Sequence, residues 1–110
     1  EDAVKLAQQY SERAYEAFSW SVLGAVVGAA DPSQSAQAEE CLLKGIAIAE
    51  EIGARTFSCS GHLFLGQYYA SGGQREKARE HLTLALSMAQ EMGLDFWLTL
   101  ARSSLGNLGK

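Results

Sequence analysis

Proline is nearly absent from this 110-residue chain, which has a single one, Pro32, after Asp31. Proline breaks a helix by removing a backbone donor and clashing with the preceding turn, so its scarcity leaves room for long helices. Cysteine is scarce too, with only Cys41 and Cys59. In antiparallel helices joined near Gly53 these two lie more than a turn apart along the axis, too far for a disulfide. Free thiols point to a reducing, cytoplasmic setting. Long apolar runs are missing: the longest, Val22 to Ala30, is too short to span a bilayer. No secretory signal is visible, although a chain that begins with Glu1 leaves room for one that has been removed. An excess of positive charge is missing as well, with nine Lys and Arg against 13 Asp and Glu. The bases alternate with acids, as in Arg75-Glu76-Lys77-Ala78-Arg79-Glu80, a solvated helix face rather than a nucleic-acid surface.

What is present is apolar material, 47% of the residues, enough for one domain with a sizeable core. The most structured stretch runs from Cys59 to Gly93 and reads as two helices around a turn at Ser71-Gly72-Gly73. Gly66 lies inside the first of them, where glycine costs roughly 1 kcal/mol relative to alanine. Close packing is the reason to expect, with Ala78, Leu82 and Ala85 of the second helix supplying the opposing surface.

The same pattern recurs. A shift of 40 residues lays 38–53 over 78–93, with Ala38/Ala78, Glu40/Glu80, Leu42/Leu82, Ala49/Ala89, Glu51/Glu91 and Gly53/Gly93 identical. It also carries Leu65-Gly66 onto Leu105-Gly106, and a shift of 42 takes Leu23-Gly24 onto Leu65-Gly66. Residues 1–11 match the end of the repeated helix, Ala7-Gln8-Gln9-Tyr10 against Ala49-Glu50-Glu51-Ile52. The spacing predicts an all-α chain of about five helices. They are the tail of a second helix over 1–11, two complete hairpins over about 12–52 and 54–92, and a lone first helix over about 95–110. Asp31 is expected to cap the helix that starts near Ser33, with Pro32 in its first turn, and Gly53 and Gly93 are expected to stop helices.

Trp20-x2-Leu23-Gly24-x2-Val27 and His62-x2-Leu65-Gly66-x2-Tyr69, followed by Ala78-x3-Leu82, resemble the tetratricopeptide repeat (TPR), whose pattern is W-x2-L-G-x2-Y and then A-x3-F. The resemblance covers the whole chain. It weakens in the last helix, where Arg102 and Gly109 stand for the tryptophan and tyrosine. The period departs as well, being 40 residues against a usual value of about 34. Long repeats with this hairpin end look like those of large bacterial regulators of the MalT-like group, in which a TPR array follows a nucleotide-binding switch or a cyclase or kinase module.

The resemblance implies antiparallel hairpins stacked in a right-handed superhelix, with first helices lining a concave groove. Carried over residue by residue, the groove set is Phe18, Ser21, Ala25 and Gly28; then Ser60, Leu63, Gln67 and Ala70; then Leu100, Ser103 and Asn107. This groove is small, neutral and partly apolar. Only Asn107 fits the Lys/Arg/Asn clamp with which some members hold a C-terminal carboxylate. The implied function is a protein-interaction module taking a protein or peptide segment. A structural spacer or self-association segment of an ATPase- or cyclase-type regulator, and a ligand-sensing array, remain open beside it.

No active site is expected. Cys59 and His62 stand three apart on one helix without a third orienting group, so they read as a small buried residue and the occupant of the tryptophan slot. His81 falls in a charged run and is expected to be solvated. Two separated histidines and two separated cysteines make no metal-ligand spacing, and no cofactor motif occurs. Glu39-Glu40 and Glu50-Glu51 point to different sides of a helix. Gly24-x3-Gly28 reads as helix packing. The helices at 1–11 and 95–109 are expected to lack partners, and the latter carries Phe96, Trp97, Leu98, Leu100, Leu105 and Leu108; a homodimer through these ends is the expected consequence.

Overall fold

The computed structural model describes residues 2–108, so the expected loss of the tyrosine slot at Gly109 lies outside it. Five α-helices follow one another: α1 (Asp2–Ala30), α2 (Ser35–Glu51), α3 (Arg55–Ser71), α4 (Arg75–Met92) and α5 (Asp95–Leu108). A short 3-10 turn, Pro32–Gln34, precedes α2. No strand occurs among the described residues.

The hairpin ends are built alike. Gly53 and Gly93 adopt φ of +72° and +68°, the left-handed conformation that ends a helix at low cost for glycine. The residue after each donates back five positions, Ala54 N to Ala49 O at 2.8 Å and Leu94 N to Ala89 O at 2.9 Å. The α3–α4 turn repeats the bond with Gln74 N to Tyr69 O at 2.9 Å. A pair of ion pairs recurs with the same logic: Arg13 of α1 to Glu51 at the end of α2 at 3.2 Å, and Arg55 at the start of α3 to Glu91 near the end of α4 at 3.3 Å.

One boundary differs from the sequence expectation. The tail foreseen over 1–11 and the helix foreseen from Glu12 form the single 29-residue α1. The reason is local. Ser11 stands where Gly53 and Gly93 stand in the later repeats, and without a glycine or proline the helix has nothing to end it. Asp31 does cap, but it caps the 3-10 turn: its carboxylate accepts from Ser33 N at 3.0 Å and from Ser33 Oγ at 2.6 Å.

Close approach explains the repeated Leu-Gly pairs. A Cβ at Gly24 would lie 2.7 Å from Leu42 Cγ, and one at Gly66 would lie 2.6 Å from Leu82 Cγ. Gly28 sits in the same α1–α2 seam, where a Cβ would be 3.3 Å from that of Ala38, so the Gly24-x3-Gly28 pair serves helix packing. The main core joins Leu42 and Ile46 of α2 with Leu63 and Leu65 of α3, Leu82 and Ala85 of α4, and Ala101 and Leu108 of α5. A second cluster, Ala17, Ile48, Ala49 and Ala54, lies between the first two helices and the start of α3.

Each helix touches the next, and the first helices α1, α3 and α5 also touch in succession. The second helices α2 and α4 do not meet, nor do α1 and α4, so the array stays open instead of closing as a four-helix bundle. Its extents are 53 × 33 × 18 Å. No helix among the described residues is long and apolar enough to cross a membrane.

The apolar side of α5 is largely covered, contrary to the expectation of a bare helix. Leu108 is buried, while Trp97, Leu98, Leu100 and Leu105 are half-buried against the core. Only Phe96 stands out, at 67% exposure. The open side of α5 is polar, with Thr99, Arg102, Ser103 and Asn107 exposed beside Gly106.

Candidate binding cleft

Where α1 and α3 run side by side, their C-terminal halves leave a cleft of about 220 Å³. From α1 it is lined by Gly24, Ala25, Gly28 and Ala29, and from α3 by Phe64, Gln67, Tyr68 and Ser71. Glycine and alanine on α1 keep the floor low, because their side chains do not fill the angle between the helices. Phe64 and Tyr68 form an aromatic wall. Tyr68 is fixed by its hydroxyl, which donates to Ser35 O at 2.8 Å and accepts from Ser35 Oγ. Gln67 is steadied by a bond from Nε2 to Ser104 Oγ at 3.3 Å. No charged residue lines the cleft.

The groove residues carried over from the TPR pattern divide into four groups. Ala25 and Gln67, with Gly28, come together in the cleft. Ser21, Ser60 and Leu63 are buried and present nothing to a partner: Ser21 Oγ donates to Ala17 O at 3.3 Å, Ser60 Oγ donates to Phe57 O at 3.1 Å, and Leu63 is part of the core. Ser21 is covered by α2, where a Cβ at Gly45 would lie 2.6 Å from its Oγ, whereas Ser60 and Leu63 are covered by the packing of α3 among its neighbours. Phe18 is half-buried against Phe57, ring centroids 5.5 Å apart. Ala70 and Leu100 are half-buried against the main core. Ser103 and Asn107 are exposed on α5 and are not part of the cleft. Sequence reasoning missed Phe64, Tyr68 and Ser71; Phe64 and Ser71 lie one turn from Gln67 on the same helix and Tyr68 directly follows it.

Compared with protein-family models, curated proteins and solved structures, the chain matches none.

The remaining polar residues in the interior are engaged structurally. Cys59 Sγ donates to Ala85 O at 3.4 Å rather than to His62, and burial pushes its thiol up despite the opposing Arg55. A thiol held as a donor in this way is a poor nucleophile. His62 is buried as expected for the tryptophan slot. His81 is only partly exposed, because α4 turns its ring toward His62 of α3. Its ring stacks on His62 at 5.2 Å, with the two Nδ1 atoms 3.0 Å apart. Burial holds both imidazoles below the ordinary histidine value, and the neighbouring His81 adds to the effect on His62. Glu50 Oε2 lies 3.6 Å from His62 Nε2. Among the described residues no group of three or more His, Cys, Asp or Glu is arranged to hold a metal ion.

Proposed function

We propose that the chain is a protein-interaction module of TPR type, a right-handed stack of helical hairpins belonging to a larger regulatory protein. In this reading it takes an uncharged, apolar protein segment in the α1–α3 cleft. The succession of contacts α1–α3–α5, without a contact between α2 and α4, supports an inner layer of first helices and an outer layer of second helices. The observation that carries the binding reading is the cleft itself: a glycine- and alanine-floored, aromatic-walled channel without a charge along it. Such a lining rewards apolar side chains and penalises charged ones, which would lose water and gain no partner. Gln67 and Ser71 offer the few polar groups that would set the segment's register.

The test is selection of displayed peptides on the full chain. Enriched peptides are expected to be apolar and uncharged at their core. Ala25→Glu combined with Gln67→Arg should weaken them at least about tenfold, a loss of roughly 1.4 kcal/mol, while helicity by circular dichroism stays unaltered. Peptides that bind the double variant equally well would place recognition elsewhere on the surface.

A further inference from the structure

We propose that the outer face of α1, carrying Tyr15, Ser19, Leu23 and Val26, is a docking surface for a helical hairpin of the same kind as those this chain forms. The face is distinct from the cleft residues, and the inference does not rest on cleft binding.

The argument is a pattern met three times. Aligned by the repeat, Tyr15, Phe57 and Trp97 are the aromatic members; Ser19, Gly61 and Ala101 are small; Leu23, Leu65 and Leu105 are leucine; and Val26, Tyr68 and Leu108 close the face one turn further on. In two of the three helices this face is covered by the preceding hairpin. On α3, Phe57 packs on Phe18 and on the cluster of Ile48 and Ala49. Gly61 lies so close to α2 that a Cβ there would be 2.7 Å from Ile46 Cγ1, and Leu65 is fully buried. On α5, Trp97 meets Phe64 edge-on at 6.0 Å, while Ala101 is fully buried in the cluster that holds Leu86, the residue 40 positions after Ile46.

On α1 the same face is bare. Tyr15 is 75% exposed, Leu23 46% and Val26 58%, and Val22 beside them is exposed as well. From Ala17 to Ala30 the helix holds no charged residue, which is unusual for a surface that meets only water. A complementary partner is therefore defined by what covers α3. It presents an aromatic or aliphatic contact for Tyr15 and, from its second helix, an aliphatic side chain over Ser19 in the place of Ile46. A second copy stacked head to tail does not meet this description, because the open side of α5 offers Thr99, Arg102, Ser103 and Asn107 instead.

The experiment supplies the hairpin covalently. A copy of residues 12–53 is inserted after Ser11 of the full chain, so that the second copy of Tyr15 follows Gly53 in the register that Phe57 occupies in the parent. Docking is expected to give one cooperative thermal transition with a midpoint several degrees above the parent, since each added interface in a stacked array contributes to the whole. Tyr15→Asp with Val26→Glu in the second copy should bring the midpoint back to that of the parent or split the transition. The same two substitutions in the parent should leave its midpoint nearly unaltered, because there the face is uncovered. A tandem chain that unfolds in two independent steps, or that does not fold, overturns the proposal. So does a large loss of stability in the substituted parent. A stable dimer of the parent that the substitutions dissolve would give the face to a second copy and overturn it equally.

Discussion

Leu82 fills the space that a side chain at Gly66 would need, its Cγ 2.6 Å and its backbone nitrogen 3.2 Å from the position of a Cβ. The repeat-related Gly106 on α5 has nothing within 4 Å. The same substitution at these two glycines should therefore have opposite signs. Gly66→Ala should cost about 1–3 kcal/mol by overpacking, more than the roughly 1 kcal/mol that alanine gains over glycine in a helix. Gly106→Ala should keep that gain and stabilise by up to about 1 kcal/mol. Urea denaturation of both variants decides it; a Gly66→Ala chain as stable as the parent would contradict the close-approach account.

The His62–His81 pair predicts sensitivity to mild acid. With Nδ1 atoms 3.0 Å apart, one ring donates and the other accepts, so the two Nδ1 atoms share a single proton and charging both rings at once is disfavoured. Glu50 from α2 favours charging of His62, while Glu80 favours and Lys77 opposes charging of His81; burial outweighs these and holds both rings below 6.5. The unfolded chain then binds more protons than the folded one as pH falls through 6.5. Stability is expected to be complete above that value and to decline below it. His81→Gln should flatten the decline between pH 7 and 5.5, two values bracketing the ordinary histidine range of about 6.5. An unaltered pH profile in that variant would remove the pair as the cause.

Tyr69 predicts the alkaline side. Its hydroxyl donates to Glu39 Oε2 at 2.6 Å, and burial, followed by Glu39, pushes its ionisation up to about 12 from 10.0. The folded chain keeps a proton that the unfolded chain loses above pH 10, so stability should fall as pH rises past 10. Tyr69→Phe should abolish that fall and cost on the order of 1.5–3 kcal/mol at neutral pH through the lost bond to a carboxylate. A thermal scan series from pH 8 upward, referred to the ordinary tyrosine value of about 10, measures both effects.

Cys41 and Cys59 are both buried and free. Neither should react with a thiol reagent in the native chain at neutral pH, and both should react once urea unfolds it. Rapid native labelling of Cys59 would show that the α3–α4 seam opens far more often than its packing implies.

The helices and their repetition were legible in the sequence because they depend on local signals. Gly53 and Gly93 end helices wherever they stand, and Leu-Gly pairs advertise a close neighbour. The uninterrupted α1 was not read from the repeat pattern, because position 11 holds a serine where the later repeats carry the helix-ending Gly53 and Gly93. Burial of Ser21, Ser60 and Leu63 was not legible from the motif. It depends on how α2 packs on α1 and how the neighbouring helices pack on α3, an outcome of contacts between segments distant in sequence. Gly45 and Gly61 held the clue, since a Cβ at Gly45 would lie 2.6 Å from Ser21 Oγ. The contact of His81 with His62 was hidden for a related reason: a charged run says that most of a helix is wet, and says nothing of the one position that turns inward.

The missing contact between α1 and α4 has a mechanical consequence. In a closed bundle, tension applied to the ends shears several interfaces at once. Here the interfaces between successive hairpins lie in series, because no helix reaches beyond the next but one. A pull along the array therefore loads each seam with the full force, and the weakest yields first. The two glycine turns at Gly53 and Gly93 then act as the joints about which hairpins peel away one at a time. Such a chain is expected to lengthen under load in steps, hairpin by hairpin, instead of in one event.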